Sequence, residues 1–312
     1  MPAKTEPTYV GLDISKARLE YTLDERRTAS VSNDTVGHVR LIGSLESRAP
    51  VRVICEATGG YERAVVAALL ERGLEVCVVQ PGRVRAYAHA EGLMAKTDPL
   101  DAQLLRRYGQ AVRLRLAVPT DPAVALLRDL LDQRRDFLER LVEVNNQHQQ
   151  AGAERTRWIE REQRFLEQEL AALAQAIARH IDQDPTLRQK YARLQQLPGV
   201  GPVLAGTLLA YLPELGDVGD ATLSALVGVA PFADDSGPRF GGRHVHGGRA
   251  ALRRVLYMAA LASIRCNRIL AGFYQRLRAA GKPPKVCLVA VMRKMLIVLN
   301  RLLANPDFVL AD

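Results

Sequence analysis

Apolar residues recur with two different periods in the first 119 residues of the chain. Alternation with a period of two, which is typical of strands, predicts β-strands over 8–14, 18–23, 29–33, 51–55 and 76–80. Spacing of three and four residues predicts helices over 36–47, 61–72, 83–91 and 99–108. Ser15 and Lys16 form the predicted turn between the first two strands. Three meandering strands followed by alternating helices and strands predict a ribonuclease-H-like domain over 1–119.

The stretch from 120 to 195 has a different pattern, with Leu, Phe and Val at helical spacing and charged residues between them. Two segments show it most clearly, LLRDLLDQRRDFLERLVEV and FLEQELAALAQAIARHI. They predict two long amphipathic helices, which form either a coiled-coil arm or an ordinary helical hairpin inside a domain. Either version offers an apolar stripe for dimerisation.

Charge is distributed unevenly in the remaining segment, 196–312, which we predict to be a mainly helical domain. Five acidic residues and no Lys or Arg occur between 197 and 238, whereas 239–306 contains fourteen Lys or Arg and no Asp or Glu. A solvated surface normally mixes the two signs, because like charges repel. We interpret the basic run as a surface that contacts phosphates. The whole chain is therefore predicted to be α/β plus α.

Composition fits a soluble globular protein with an anionic partner. Hydrophobic residues make up 48% and charged residues 25% of the 312 residues, which is enough chain for two domains. The net charge of +9 favours nucleic acid as that partner, although on charge alone a basic protein without one fits equally well.

The cysteines and the apolar segments indicate the compartment. The four cysteines are too far apart for a zinc site and resemble small buried residues of a reducing compartment: Cys55, Cys77, Cys266 and Cys287. The N-terminal segment lacks the apolar core of a signal peptide, and Arg293 and Lys294 interrupt the apolar stretch 286–299. We predict a cytoplasmic protein that does not enter a membrane.

Four carboxylates are placed where a divalent metal could be held. Asp13 lies on the first strand and Glu56 directly follows the fourth, while Asp98 and Asp101 stand at the start of a helix in KTDPLDA. Together they are suited to two Mg²⁺ ions that activate a water molecule or a hydroxyl group and stabilise the leaving oxygen of a phosphodiester. Each also has a structural explanation, with Asp98 as a helix cap, Asp101 as a surface acid and Glu56 as the cap of the 58–60 turn.

Two further segments carry candidate chemistry. Gly199 and Gly201, in LPGVG between two helical patterns, are typical of a helix-hairpin-helix that approaches a phosphate with its backbone N–H groups. Ser236 is a possible nucleophile in a loop rich in Gly and Pro, although a loop serine is more often a turn residue. His244 and His246 are candidates for a base or a phosphate contact. Nearby arginines could stabilise a pentacovalent phosphate: Arg239, Arg243, Arg249, Arg253 and Arg254.

These motifs together resemble the DEDD-type insertion-sequence transposases, the IS-one-ten family, over nearly the whole chain. YVGLDISK, ICEATGGYE and KTDPLDA resemble the acidic motifs of the family's nuclease domain, which is similar to Holliday-junction resolvases. LPGVGPVLA and GVAPFADDSGPRFGG resemble its C-terminal domain, in which Ser236 aligns with the proposed nucleophilic serine.

The resemblance implies a specific activity. A structured bridge RNA would pair with donor and target DNA, Ser236 would form a transient phosphoserine link, and Mg²⁺ would be held by the four acids. Dimers and tetramers would form, with the acids and the serine supplied by different subunits. Two alternatives stay open: a junction-resolving nuclease that uses metal and water only, and a non-catalytic nucleic-acid scaffold. The scaffold gains nothing from clustered carboxylates that repel one another.

Overall fold

The computed structural model describes residues 7–24, 27–48, 50–93, 98–231 and 244–310, with the backbone alone for 98–100. The chain divides into two compact units, Met1–Thr120 and Asp121–Asp312. The boundary coincides with the change of hydrophobic pattern near residue 120. The further separation of an arm, 120–195, from a C-terminal domain, 196–312, stays a prediction.

The first unit is built on a mixed sheet of five strands. The strands are β1 (Thr8–Ile14), β2 (Arg18–Thr22), β3 (Thr28–Ser32), β4 (Val51–Glu56) and β5 (Glu75–Val79). Their order in the sheet is β3-β2-β1-β4-β5; β1, β2 and β3 pair antiparallel, and β4 is parallel to both β1 and β5. The five predicted strands are confirmed, and the order is consistent with a ribonuclease-H-like domain.

Helices cover both faces of this sheet because its central strands are apolar on both sides. The described residues of the first unit form four helices: α1 (Thr35–Glu46), α2 (Arg63–Glu71), α3 (Pro81–Ala90) and α4 (Asp98–Ala111). Leu12 and Val53 pack with α1 and α2 on one face. Ile54 and Cys77 pack with Val84 of α3 and with α4 on the other. The candidate acids Asp13 and Glu56 lie at the carboxyl ends of β1 and β4.

The second unit begins with the two long helices that the sequence predicts, α5 (Pro122–His148) and α6 (Ala153–Gln183). They run antiparallel, since Arg140 pairs with Glu162 near the tip while His180 donates to the carbonyl oxygen of Ala123 near the root, at 2.7 Å in both cases. We refer to this helical hairpin as the arm. The half of the arm furthest from the rest of the unit buries an apolar cluster that includes Val144. Burial of each such side chain stabilises the folded state by about 2 kcal/mol. A coiled-coil supercoil stays a prediction.

Shorter helices and one further long helix complete the second unit. They are α7 (Pro185–Gln195), α8 (Pro202–Tyr211), α9 (Asp220–Val227), α10 (Ala250–Cys266), α11 (Arg268–Ala279) and α12 (Pro284–Ala304). The core forms mainly around α8 and α12, since Leu204, Leu208, Met295 and Leu299 are all buried in one cluster with the root of α5. The side chains of α8 are apolar on nearly every face of the helix, which explains why this short helix can lie in the middle of the core.

The cysteine prediction needs one correction. Cys55, Cys77 and Cys287 are buried as expected, but Cys266 is exposed because it is the last residue of α10. All four are free thiols. Among the described residues, no helix is both long enough and apolar enough to cross a bilayer.

Candidate active site

Asp13 and Glu56 end neighbouring parallel strands on the same face of the sheet. Leu12 of β1 pairs with Cys55 of β4, so Asp13 and Glu56 stand one residue further along at the same level. Side chains at equivalent positions of paired strands point to the same face. Both acids are partly buried. The sequence prediction that these two carboxylates lie close together is therefore supported by the strand register.

Helix α4 packs directly on this face, and a glycine makes the close approach possible. An ideal Cβ placed on Gly11 would lie 1.8 Å from the carbonyl oxygen of Ala102, which excludes any larger residue without movement of the helix. Arg106 donates from Nε to the carbonyl oxygen of Tyr9 at 3.2 Å. Ala102 lies over Gly11 and Arg106 lies over Tyr9, so α4 runs in the opposite direction to β1. The helix therefore begins near the carboxyl end of β1. Its early residue Asp101 is therefore carried towards Asp13 and Glu56.

Asp98 is the first residue of α4, one residue before the predicted helix start. Its side chain lies outside the described residues, so the predicted set of four acids is described only for Asp13, Glu56 and Asp101. Within the described part of the chain, no three His, Cys, Asp or Glu side chains have the arrangement of a metal site. The donor set is nevertheless of the right chemistry, because carboxylate oxygens are the ligands that Mg²⁺ prefers.

The turn after Glu56 is held by a different acid from the one considered in the sequence. Glu62 accepts hydrogen bonds at Oε2 from the amides of Thr58 and Gly60, at 3.0 and 2.9 Å. Partial burial raises the pKa of the Glu62 carboxyl, but the hydrogen bonds from its own amide, Gly60 and Thr58 together bring that pKa below its usual value. Glu62 therefore caps the turn, the role that the sequence analysis considered for Glu56.

The hairpin between α7 and α8 has a tight packing role in addition to any contact with nucleic acid. Gly199 has a φ of 101°, and an ideal Cβ there would lie 2.0 Å from Oγ of Ser263 on α10. Gly201 is the N-cap of α8, is exposed, and has open space where a Cβ would be. Of the two predicted phosphate-approach glycines, Gly201 alone faces solvent freely. The helix-hairpin-helix assignment itself stays a prediction.

Three of the predicted phosphate-contacting arginines lie in the described residues, and they differ in their surroundings. Arg249 forms a bidentate pair with Glu214, at 2.7 and 2.8 Å. Arg253 donates to the backbone carbonyls of Val227 and Gly247. Arg254 is exposed, lies 3.9 Å from a carboxylate oxygen of Glu139, and borders a groove of about 440 Å³ that Gly201 also lines. In this structure Arg254 is the best placed of the three to reach a ligand.

The serine loop falls largely outside the described residues. Ser236, Arg239 and Arg243 all belong to that part of the chain, so their predicted roles stay predictions. His244 and His246 are described and exposed.

Two family profiles match successive parts of this chain. A profile described as "Transposase" (DEDD_Tnp_IS110) covers residues 10–169, and one described as "Transposase IS116/IS110/IS902 family" covers residues 191–275. The first alone spans half of the chain and includes all four candidate acids. The chain belongs to the IS110 family of transposases.

Curated relatives of the transposase support the same conclusion over nearly its full length. The "Pilin gene-inverting protein" of Moraxella lacunata is 26% identical over 302 residues, covering 93% of this chain and 94% of the relative. The protein of that name from Moraxella bovis matches with the same identity and coverage. An uncharacterized 43.6 kDa protein of the insertion element IS110 in Streptomyces coelicolor is 31% identical over 123 residues. The transposase is therefore a DNA recombinase, and the family named in the sequence analysis is confirmed.

Sequence reasoning missed three residues that shape the candidate site: Gly11, Arg106 and Glu62. A glycine inside a predicted strand indicates close backbone approach, so YVGLDIS contained the signal for Gly11. Glu62 follows the Gly59-Gly60 turn closely enough to be considered as its cap. Arg106 bonds a residue 97 positions away, and no local pattern reveals such a contact.

Replacement of Arg249 by glutamine should distinguish a structural arginine from one that contacts phosphate. The side chain of Glu214 is 12% exposed and that of Arg249 is 32% exposed, so this ion pair is poorly solvated. We expect Arg249→Gln to lower the free energy of unfolding by about 2–3 kcal/mol, measured by chemical denaturation. Arg254→Gln is the control and should change it by less than about 0.5 kcal/mol, because its ion pair is exposed. Unchanged stability of Arg249→Gln with weaker DNA binding would support the phosphate role instead.

Proposed function

We propose that this IS110-family transposase carries out RNA-guided excision and insertion of DNA with an acidic Mg²⁺ site and a serine nucleophile. The observation that carries the proposal is the placement of Asp13 and Glu56 at the ends of adjacent parallel strands, under a helix that begins with Asp98 and Asp101. Three separate segments of sequence thus bring their acids to one end of one sheet. A structural role does not require this convergence, because like charges repel.

The carboxylates of Asp13, Glu56, Asp98 and Asp101 would hold the metal. Mg²⁺ bound there supplies Lewis acidity, which favours ionisation of an attacking hydroxyl and stabilises negative charge on the leaving oxygen. The chain contributes a fixed donor geometry, since α4 is pinned to β1 by the contact at Gly11 and by the bond from Arg106. The Glu62-capped turn fixes the backbone that follows Glu56.

Ser236 is the proposed nucleophile. Its Oγ attacks the phosphorus, the bond from phosphorus to a deoxyribose oxygen breaks, and the leaving oxygen takes up a proton while the serine proton passes to a base. His244 and His246 are the nearest candidates in sequence for that base. Arg239, Arg243 and Arg254 are proposed to offset the charge of the pentacovalent phosphate. The resemblance of GVAPFADDSGPRFGG to the family's serine motif supports this assignment.

A structured bridge RNA and a second subunit complete the proposed assembly. The family resemblance supports the RNA, and the net charge of +9 suits a complex that holds both RNA and DNA. Support for oligomerisation comes from the arm, where Trp158 and Phe165 of α6 are 66% and 54% exposed. They are seven residues apart and therefore lie on one helix face. Two large exposed aromatic side chains on one face favour a protein interface.

Charge placed on this aromatic pair should dissociate the oligomer. The wild-type protein is expected to have a mass in solution that is a multiple of 34.4 kDa, and Trp158→Glu with Phe165→Glu should reduce it to the monomer value. The reason is that two carboxylates would have to be desolvated in an apolar interface. The measurement is light scattering during gel filtration. Ala171→Glu with Ala178→Glu, two exposed positions seven residues apart on a different face of the same helix, is the matched control and should keep the oligomer. An unchanged mass for the aromatic double variant would reject the arm as the interface.

A trapped-complex assay tests the proposed chemistry. Transposase co-expressed with the flanking non-coding RNA of its element is mixed with labelled donor DNA and Mg²⁺ and then denatured. We expect a covalent protein–DNA band that Ser236→Ala removes, because no other atom would form the phosphoester. Asp13→Asn and Asp98→Asn should remove it as well, since the metal would no longer be held.

The controls separate the proposal from its alternatives. DNA cutting by Ser236→Ala at the wild-type rate, together with an inactive Asp13→Asn, would identify a metal-and-water nuclease and reject the serine mechanism. DNA binding with no cutting by the wild type under any metal would identify a scaffold. Omission of the RNA should remove the band, and a band of undiminished intensity without RNA would reject RNA guidance while leaving the serine in place.

A further inference from the structure

The long basic run of the second unit separates into two groups once its contacts are known. Near the start of α10 and the end of α12, Arg249 and Arg301 pair with Glu214 and Asp220, acids that come from the preceding acidic segment. Between Arg254 and Arg301, eight cations have no carboxylate within 4.0 Å among the described residues. They are Arg265, Arg268, Arg276, Arg278, Lys282, Lys285, Arg293 and Lys294.

One aromatic side chain gathers two of these cations. Nζ of Lys294 on α12 lies 4.8 Å from the centre of the Phe273 ring, and Cζ of Arg276 on α11 lies 6.0 Å from it. The negative face of an aromatic ring attracts cations, which holds these two side chains near one another despite their repulsion. Phe273 itself packs against the core of the second unit, so the position of its ring is fixed. We refer to Arg276 and Lys294 around Phe273, together with Arg293 next to Lys294 on α12, as the basic surface.

Arg293 adds a second indication that a ligand is required. Its Nε is buried, and it is the one buried side-chain polar atom in the described part of the chain that has no hydrogen-bond partner. A buried donor without a partner is costly, about 1–3 kcal/mol, and guanidinium donors suit phosphate oxygens. Clustered cations without acids and an unsatisfied guanidinium nitrogen both favour a polyanion at this place.

We propose that the basic surface, which includes none of the proposed catalytic groups, binds the phosphate backbone of duplex DNA without regard to sequence. The Phe273 ring is partly buried and faces cations, so it is not available for the stacking of unpaired bases that single strands require. A recombinase gains from such contacts because cut ends have to be retained until they are rejoined.

The test measures affinity for a duplex of arbitrary sequence as a function of salt, without RNA or Mg²⁺. Each phosphate contact contributes about 0.9 to the slope of log K against log salt, so Arg276→Gln with Lys294→Gln should lower that slope by about 2 and weaken binding roughly tenfold or more. Phe273→Leu, which changes no charge, should weaken binding several-fold because the cations lose their common support. The thermal midpoint of each variant is recorded to confirm that it is folded.

Matched controls show whether weaker DNA binding comes from loss of this particular surface or only from the lower net charge of the protein. Arg155→Gln with Arg161→Gln removes the same charge from the arm and should leave the slope unchanged. An equal loss in both double variants would overturn the proposal, as would wild-type affinity in the Arg276 and Lys294 variant. Loss of binding to a structured RNA with DNA binding intact would also overturn it and identify an RNA surface. Since no cleavage is measured, failure of the serine mechanism leaves this test unaffected.

Discussion

Replacement of Gly11 by alanine is expected to abolish strand transfer, with a loss of about a hundredfold or more. The new Cβ would lie 1.8 Å from the carbonyl oxygen of Ala102 and 2.7 Å from the amide nitrogen of Arg106. Both are backbone atoms of α4 and cannot rotate away as a side chain can. To restore ordinary contact the helix must move outward by about 1.5 Å, and misplacement of catalytic groups by about 1 Å costs on the order of a hundredfold in rate. Asp98 and Asp101 move with that helix.

The measurement is strand-transfer activity on a donor duplex, combined with chemical denaturation. Gly43→Ala is the matched control, because Gly43 lies in α1 and has open space where a Cβ would be. It should keep full activity and gain up to about 1 kcal/mol in stability, since alanine favours the helix over glycine. Full activity of Gly11→Ala would show that the position of α4 does not matter for the chemistry, and the proposed acid set would lose its main support.

Gly199→Ala should lower the free energy of unfolding by about 3 kcal/mol. The backbone there has a φ of 101°, which costs an alanine about 1–2 kcal/mol, and the new Cβ would overlap Oγ, Cβ and Cα of Ser263 at 2.0, 2.8 and 2.9 Å. Ser263 is buried in α10 and bonds the carbonyl oxygen of Ala259, so it cannot move aside. The measurement is chemical denaturation of the wild type and the variant.

A second substitution separates the two causes of this loss. Ser263→Gly removes the overlapping Oγ and Cβ, so the double variant with Gly199→Ala should be more stable than the sum of the two single effects predicts, by about 1–2 kcal/mol. Gly201→Ala, at an exposed N-cap with open space, should stay within about 0.5 kcal/mol of the wild type. Weaker DNA binding by Gly199→Ala at wild-type stability would instead assign this glycine to phosphate approach alone.

Much of the first unit follows from its sequence because its patterns are local. The predicted strand over 8–14 coincides with β1, and the strand predicted over 51–55 is one residue shorter than β4, which includes Glu56. Strand order then follows from the alternation of elements, so Asp13 and Glu56 were expected on adjacent strands. The family resemblance rested on motifs around those same acids, and the profile that covers 10–169 confirms it.

The second unit was less predictable because its important contacts join distant parts of the chain. Arg249 looked like one of several phosphate-contacting arginines, and nothing local indicates that Glu214, 35 residues earlier, binds its guanidinium group. Gly199 suggested backbone approach to a phosphate, whereas the atom it approaches belongs to Ser263. A run of one charge sign reveals composition, but the division into paired and unpaired cations depends on the packing of α9, α10 and α12.

A small network of polar side chains sets the orientation of the arm relative to the rest of the second unit. Arg128 donates to the carbonyl oxygen of Ala210 at 2.7 Å, and Tyr211 donates to Asp132 at 2.5 Å, so α5 is fastened to the end of α8. From Arg128 and Asp132 to the end of α5 is about 24–30 Å, and a rotation of about 5° at these contacts therefore displaces the tip by about 2–3 Å. The tip of the arm is therefore positioned by side chains about 24–30 Å away. Changes at Tyr211 or Asp132 should therefore affect assembly at a distance, without altering any surface that meets a partner.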